Sequence, residues 1–382
     1  MLAALLNARI MSGAGSDKAG GLAVLVADGK IAALIPPEEI PAGAERIDLE
    51  GRRLAAGFVD TQVNGGGGVL FNDQPTVEGI AAIGRAHRRF GTTGFLPTLI
   101  TDDFVVIRRA VAAVDAAIAA GVPGVLGIHI EGPFLNPARK GAHDAAKMRA
   151  LDAEGFDILT LLKRGRTLVT LAPETAPPET IRRLAEAGVI VAAGHTDASY
   201  AEARRGFEAG VAGVTHLFNA MSPLASRAPG MVGAALENQT AWCGLIVDGR
   251  HVDPAVLKLA LRCRPHDRFM LVTDAMPCVG ATADTFVLQG RTIHVRGGAC
   301  YDDDGVLAGS NLDMARAVAN AHQTLDLPLG EALAMASAAP AAFLGLSAER
   351  GTLAPGRAAD LVALNDDLTV WASWIGGEME FA

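Results

Sequence analysis

Residues 178–221, PETIRRLAEAGVIVAAGHTDASYAEARRGFEAGVAGVTHLFNAM, contain one structural unit written twice. Pro178–Ala187 places Ile181 and Leu184 on one helical face and charge on the other, and Val189–Thr196 then runs apolar without alternation to His195. Ser199–Ala209 repeats the amphipathic stretch, and Gly213–Met221 repeats the apolar run, now carrying His216. An unbroken apolar run of this length is what a parallel strand covered on both faces requires.

Working outward, the same run recurs at Leu54–Asn64, Thr92–Thr101, Gly124–Phe134, Thr167–Glu174, Trp242–Gly249 and Phe269–Met276. Further amphipathic stretches are Glu78–Phe90, Asp102–Ala120 and Asp253–Arg264, the last opening on an Asp253-Pro254 N-cap and first-turn proline. Eight strands alternating with helices predict the α/β class and a closed (β/α)8 barrel of the TIM type, in which no sheet edge is left open. The competing open, doubly wound sheet would need a phosphate-binding glycine turn after its first strand. Asn64–Gly68 lacks the GxGxxG spacing, so it reads as a flexible loop.

The ends follow a different pattern. Met1–Met11 reads as a first strand, and Gly21–Pro36 as a hairpin about Asp28-Gly29. Gly351–Leu364 and Asp367–Trp374 read as further strands, with Gly356 and the Asn365-Asp366-Asp367 cluster as turns. Residues 1–54 and 346–382 are therefore expected to form one small β-sandwich domain beside a barrel of residues 55–345. Within the last barrel unit, Asp284–Leu307 reads as an inserted hairpin before the helix Asn311–Leu325.

Half of the 382 residues are hydrophobic, yet no apolar run approaches the roughly 18–20 residues of a membrane helix. Net charge is −9 with no Lys/Arg block, which argues against nucleic acid as a partner. The cysteines at 243, 263, 278 and 300 have no framework spacing, as expected of a reduced, cytoplasmic protein. Against this acidic background, an anionic substrate would need a local basic pocket.

In such a barrel, chemistry sits at the C-terminal strand ends. Those ends carry Gln62 and Asn64, His129 and Glu131, Glu174, His195, His216, Asp248 and Asp274. Glu131, His195 and His216 have the composition of a metal site, and nitrogen and oxygen donors without thiolate suit zinc, iron, cobalt or manganese. His129 lies nearer mid-strand and reads as a packed inner residue. His87, His266, His294 and His322 read as ordinary polar residues.

The strings Gly127-Ile-His-Ile-Glu-Gly-Pro-Phe-Leu135, Gly194-His-Thr196, Thr215-His-Leu-Phe-Asn-Ala-Met221, Val272-Thr-Asp-Ala275 and Leu307-Ala-Gly-Ser310 occur in order across nearly the whole chain. Together they resemble the N-acetylglucosamine-6-phosphate deacetylase family of the amidohydrolase superfamily. The resemblance implies deacetylation of N-acetylglucosamine 6-phosphate, in amino-sugar catabolism and cell-wall recycling. It assigns one divalent metal per subunit, zinc first with Fe2+, Co2+ or Mn2+ open, to Glu131, His195 and His216. By the same resemblance Asp274 is general base and then acid, and His143 reaches the substrate carbonyl. Asn219, Ala220, Arg227 and His251, with Ala142, Leu307, Ala308 and Gly309, would bind the phosphosugar. A homodimer is implied, with Arg227 reaching across its interface.

One departure narrows the expectation. Many superfamily members end the first strand in His-x-His and hold two metals, whereas this chain has Gln62-x-Asn64. Neutral amides are poor ligands, so a single metal is expected, with Gln62 and Asn64 orienting the attacking water. The alternatives are a related hydrolase of N-acetylgalactosamine 6-phosphate or a cyclic amide, and a non-catalytic barrel.

Overall fold

The computed structural model describes residues 2–11, 17–19 and 21–382. Eight parallel strands follow one another around a nearly closed barrel: β1 (Phe58–Val63), β2 (Thr92–Ile100), β3 (Gly127–Glu131), β4 (Arg166–Leu171), β5 (Ile190–Ala193), β6 (Val211–Val214), β7 (Trp242–Leu245) and β8 (Phe269–Leu271). The seam between β8 and β1 closes above the ladder, where Val63 bridges Ala275 and the Asp274 N–H donates to the Gln62 carbonyl at 3.0 Å.

Each strand is followed by a helix on the outside: α1 (Val77–Arg88), α2 (Phe104–Ala119), α3 (Ala153–Leu159), α4 (Pro178–Glu186), α5 (Tyr200–Ala209), α6 (Gly230–Glu237), α7 (Pro254–Cys263) and α8 (Met314–Gln323). Local chemistry starts them where expected. Asp253 caps Ala255 N–H with Pro254 in the first turn, and Ser199 and Glu202 form a reciprocal capping box. α3 and α6 were not foreseen, because they are short and carry little charge contrast. The helix Ala338–Phe343 stops the barrel floor: Phe343 packs with Val59, Leu96, Leu168 and Met270, and Gly213 leaves the space its ring fills.

The expected run Leu54–Asn64 is two strands in different sheets. Arg53–Ala56 pairs antiparallel with Leu361–Leu364, and the chain enters the barrel at Phe58. Gly57 makes this crossing, where a Cβ would lie 2.1 Å from the Thr93 hydroxyl. A four-stranded sheet (Leu2–Leu6, Ala23–Ala27, Lys30–Ile35, Glu45–Asp48) and a six-stranded one containing Arg9–Met11, Arg53–Ala56, Leu361–Leu364 and Val370–Ile375 pack face to face. Leu5, Ile31, Leu54, Leu361 and Trp374 fill the space between them. Met1, the first residue of the expected opening strand, lies outside the described residues; the remainder divides into Leu2–Leu6 and Arg9–Met11, turning at Asn7.

Three other expectations are corrected. In Gly351–Leu364 the expected turn at Gly356 is present, but the strand itself is shorter and begins only at Leu361. Asn64–Gly68 is not a flexible loop: Gly65–Gly66 pairs with Val69–Leu70 in a tight hairpin turning at Gly67 and Gly68, both at positive φ. The insertion is a four-stranded antiparallel sheet (Thr285–Leu288, Arg291–Arg296, Ala299–Asp302, Leu307–Ser310), not a single hairpin.

Candidate active site

Glu131 ends β3, while His195, His216 and Asp274 lie just beyond β5, β6 and β8. The last three have φ of 47°, 30° and 52°. Left-handed backbone is costly for non-glycine residues and persists where surrounding contacts enforce it, commonly at functional sites. Here it turns each side chain off its strand and over the barrel mouth.

Glu131 Oε1 lies 3.0 Å from His216 Nε2 and 3.3 Å from His195 Nε2, and the two Nε2 atoms are 3.1 Å apart. His195 Nδ1 is 2.9 Å from the Arg139 carbonyl, which can only accept, so Nδ1 carries the proton. In the neutral ring, Nε2 then presents a lone pair to a carboxylate oxygen and to a second imidazole. Three such acceptors converging on one point fit a cation. Their spacing matches the donor–donor edge of about 3.3 Å expected around a tetrahedral centre with bonds of about 2.0–2.1 Å. All three residues are buried. Burial works to raise the Glu131 pKa, but the influence of the neighbouring His195 and His216 rings outweighs it and holds the carboxyl well below its usual range.

Gln62 joins this cluster to Asp274. Its Nε2 donates to Glu131 Oε1 at 3.1 Å and to Asp274 Oδ1 at 3.2 Å, and Asn64 Nδ2 donates to the same Asp274 oxygen at 2.7 Å. Carboxylates only accept, so the amide nitrogens must face them. Gln62 and Asn64 thus present N–H donors, not lone pairs, to these two carboxylates. Asn64 Oδ1 is buried with no protein partner. Burial, then the Glu131 charge, raises the Asp274 pKa.

His143 sits on the loop after β3, its ring 4.3 Å from that of His195. Thr101 N–H donates to its Nδ1 at 3.3 Å and the Thr101 hydroxyl lies at 2.8 Å, so the proton is on Nε2, 3.9 Å from Glu131 Oε2. Burial and the neighbouring His195 hold the His143 pKa well below the ordinary value, which makes it a neutral N–H donor.

These groups line a cavity of ≈ 320 Å³, within the usual range for small-molecule sites. Asn64, Ala142, Asn219, Ala220, His251, Leu307, Ala308 and Gly309 also line it, and Gln62 lies beneath. Asp248 orients His251, with Oδ2 2.6 Å from Nδ1. Arg227 does not line the cavity; it is exposed on the loop after β6. Glu174 instead fastens loops, accepting from Asn136, Thr196 and the Asp197 N–H. His129 is an inner packed residue between Thr98 and Thr170, its pKa pushed down to about 4 by burial.

Sequence reasoning passed over Arg139, which lines the cavity with its Nε 2.8 Å from Asp197. The Arg139-Lys140 pair on a catalytic-side loop of an acidic chain was the available signal. It also passed over Asp60, a carboxylate inside an apolar strand with the same parity as Gln62 and Asn64.

A barrel mouth with a Glu/His/His cluster facing an aspartate defines an amidohydrolase, and residues 53–379 match the model of the amidohydrolase family, to which this chain belongs. Its relatives are more particular. It is 44% identical to N-acetylgalactosamine-6-phosphate deacetylase of Shewanella sp. (strain ANA-3), over 94% of this chain and 91% of that protein. The structure of N-acetylglucosamine-6-phosphate deacetylase from Pasteurella multocida superposes with a TM-score of 0.96 at 36% identity, covering 100% of both chains. A mutant of the Mycobacterium smegmatis N-acetyl-D-glucosamine-6-phosphate deacetylase, solved with N-acetyl-D-glucosamine-6-phosphate, superposes at 0.91 with 33% identity and 99% coverage of both.

Proposed function

We propose that the protein hydrolyses the acetamide of N-acetylglucosamine 6-phosphate, releasing acetate and glucosamine 6-phosphate. The observation that carries this reading is the Gln62 bridge, which places Asp274 beside the Glu131–His195–His216 cluster with nothing but amide donors between them.

Glu131, His195 and His216 would hold one divalent cation, zinc first. Such a cation lowers the pKa of a water it binds towards about 7 and polarises a carbonyl. Asp274 takes the proton of the attacking water, which Asn64 orients through its unpartnered Oδ1. His143 Nε2–H donates to the carbonyl oxygen as negative charge develops there. Asp274 then delivers its proton to the departing amine nitrogen, turning a poor leaving group into a neutral one. His251, Asn219 and the Ala220 backbone bind the phosphate and sugar together with Ala142, Leu307, Ala308 and Gly309. Arg227 adds a bidentate guanidinium from the second subunit of a homodimer, a role its exposed loop supports. Residues 1–54 with 346–382 act as a separate small β domain beside the barrel of 55–345. Among the described residues no helix is long and apolar enough to cross a membrane, and we place the enzyme in the cytoplasm, working on a soluble phosphosugar.

A second reading, the galactosamine epimer as the preferred substrate, is favoured by the 44% identity to a deacetylase of that name. Acetate release measured on both phosphosugars and on unphosphorylated N-acetylglucosamine separates the readings. The first expects the highest kcat/KM on N-acetylglucosamine 6-phosphate. A preference for the 4-epimer would replace it with the second, and equal rates with and without phosphate would remove the phosphate assignment.

A further inference from the structure

Strand β8 ends at Leu271, so Asp274 stands three residues beyond its last ladder position, on left-handed backbone. What fixes it there is a set of bonds from outside the strand. The Asp274 N–H donates to Gln62 O at 3.0 Å, and its carbonyl accepts from Ser310 N–H at 2.9 Å. The preceding residue is held more tightly. Thr273 donates its N–H to Asp60 Oδ1 at 3.3 Å and its hydroxyl to Asp60 Oδ2 at 2.5 Å, and its carbonyl accepts from the Ser310 hydroxyl at 2.5 Å. Its hydroxyl oxygen also accepts the Ala275 N–H at 3.2 Å.

The Asp60 carboxylate therefore grips both sides of the seam. Besides Thr273 it accepts the N–H of Gln62 at 3.1 Å, the residue whose side chain links Asp274 to Glu131. Asp60 and Thr273 are fully buried, and neither lines the cavity, so neither touches a bound substrate. A carboxylate buried without a cation is costly, and here burial pushes its pKa up to about 7 despite the hydrogen bonds. An ordinary strand pair would close with backbone bonds alone.

We infer that Asp60, acting through the Thr273 hydroxyl, is a positioning residue that holds the backbone of Asp274 in the orientation needed for proton transfer. This rests on Asp274 being the proton carrier. A displacement of about 1 Å at a reacting group can cost on the order of a hundredfold in rate. The pair would thus matter to turnover while leaving substrate binding and the cation cluster alone.

The test uses the full-length metal-loaded enzyme and the variants Thr273→Val, Thr273→Ser, Asp60→Ala and Asp274→Asn. For each, kcat and KM for acetate release, metal content and melting temperature are measured. Thr273→Val, which removes the hydroxyl at nearly constant volume, should lower kcat about 10- to 100-fold with KM within about twofold and metal content unchanged. Thr273→Ser, which keeps the hydroxyl, should restore most of that loss, and Asp60→Ala should follow Thr273→Val. A folded, metal-loaded Thr273→Val enzyme with wild-type kcat overturns the inference. So does a Thr273→Ser enzyme as slow as Thr273→Val, or a kcat loss that tracks metal loss. Should Asp60→Ala fail to fold, the two Thr273 variants decide. If Asp274→Asn is inactive while Thr273→Val is normal, only the positioning role fails. If Asp274→Asn itself turns over normally, the proton-carrier reading fails with it.

Discussion

Replacing Asp274 by Asn removes the proton carrier and almost nothing else. The asparagine carbonyl oxygen can accept the same two bonds that Asp274 Oδ1 accepts, from Asn64 at 2.7 Å and from Gln62 at 3.2 Å. Side-chain volume is unchanged, and a neutral amide relieves the like-charge opposition of Glu131 that helps raise the Asp274 pKa. Fold and cation site should therefore survive. The lost chemistry is two proton transfers, one from the attacking water and one to the amine, and each is typically worth 10²–10⁴-fold. Taking the low end for one and only part of the other, kcat should fall by at least about 10³, a barrier increase on the order of 4 kcal/mol. The assay is acetate release at saturating phosphosugar, with metal content and melting temperature measured on the same preparation. A kcat within about tenfold of wild type, at unchanged metal content, would refute the assignment.

Three further outcomes are expected. His143→Gln should keep the metal and lose about 10²–10³ in kcat, since a neutral donor to the developing oxyanion is removed; steady-state kinetics with metal analysis checks it. Glu131→Gln should lose both metal and activity, and chelator treatment of the wild type should abolish activity that zinc restores, as read by metal analysis before and after. His87 is buried with Nε2–H donating to the Gly65 carbonyl at 2.8 Å, and burial pushes its pKa down to about 4. Its contribution to stability is present above the unfolded value of about 6.5 and is lost as pH falls through about 4, because the unfolded chain takes up a proton that the fold refuses. Urea unfolding at pH 7 and pH 5 should show His87→Gln losing less stability on acidification than wild type, by an amount on the order of 1–2 kcal/mol over that interval.

The barrel was legible in the sequence because burial on both faces leaves an unmistakable run of apolar residues, as at Val189–Ala193 and Phe269–Val272. The cluster was legible because its members end such runs. Less was visible where one run served two sheets: nothing in Leu54–Asn64 marks the crossing except Gly57, whose role depends on Thr93 approaching from 36 residues away. The Asn64–Gly68 hairpin was missed because glycine signals conformational freedom in isolation, whereas here it marks close packing against Pro277 and His87. Asp60 and Arg139 act through partners distant in sequence, Thr273 and Asp197, and no local pattern announces such pairs.

The stopper helix at the barrel floor has a consequence for synthesis. Phe343 and Leu344 fill an interior lined by Val59, Leu96 and Leu126, and Arg53–Ala56 waits for Leu361–Leu364 as its partner. A chain emerging from the ribosome N-terminus first therefore carries all eight strands into the open before the residues that seal their lower mouth exist. Contacts spanning some 300 residues are slow to form, and the unsealed apolar rim is a surface on which nascent chains can associate. Residues 338–382, which hold none of the groups at the barrel mouth, are thus the part whose arrival ends that exposure.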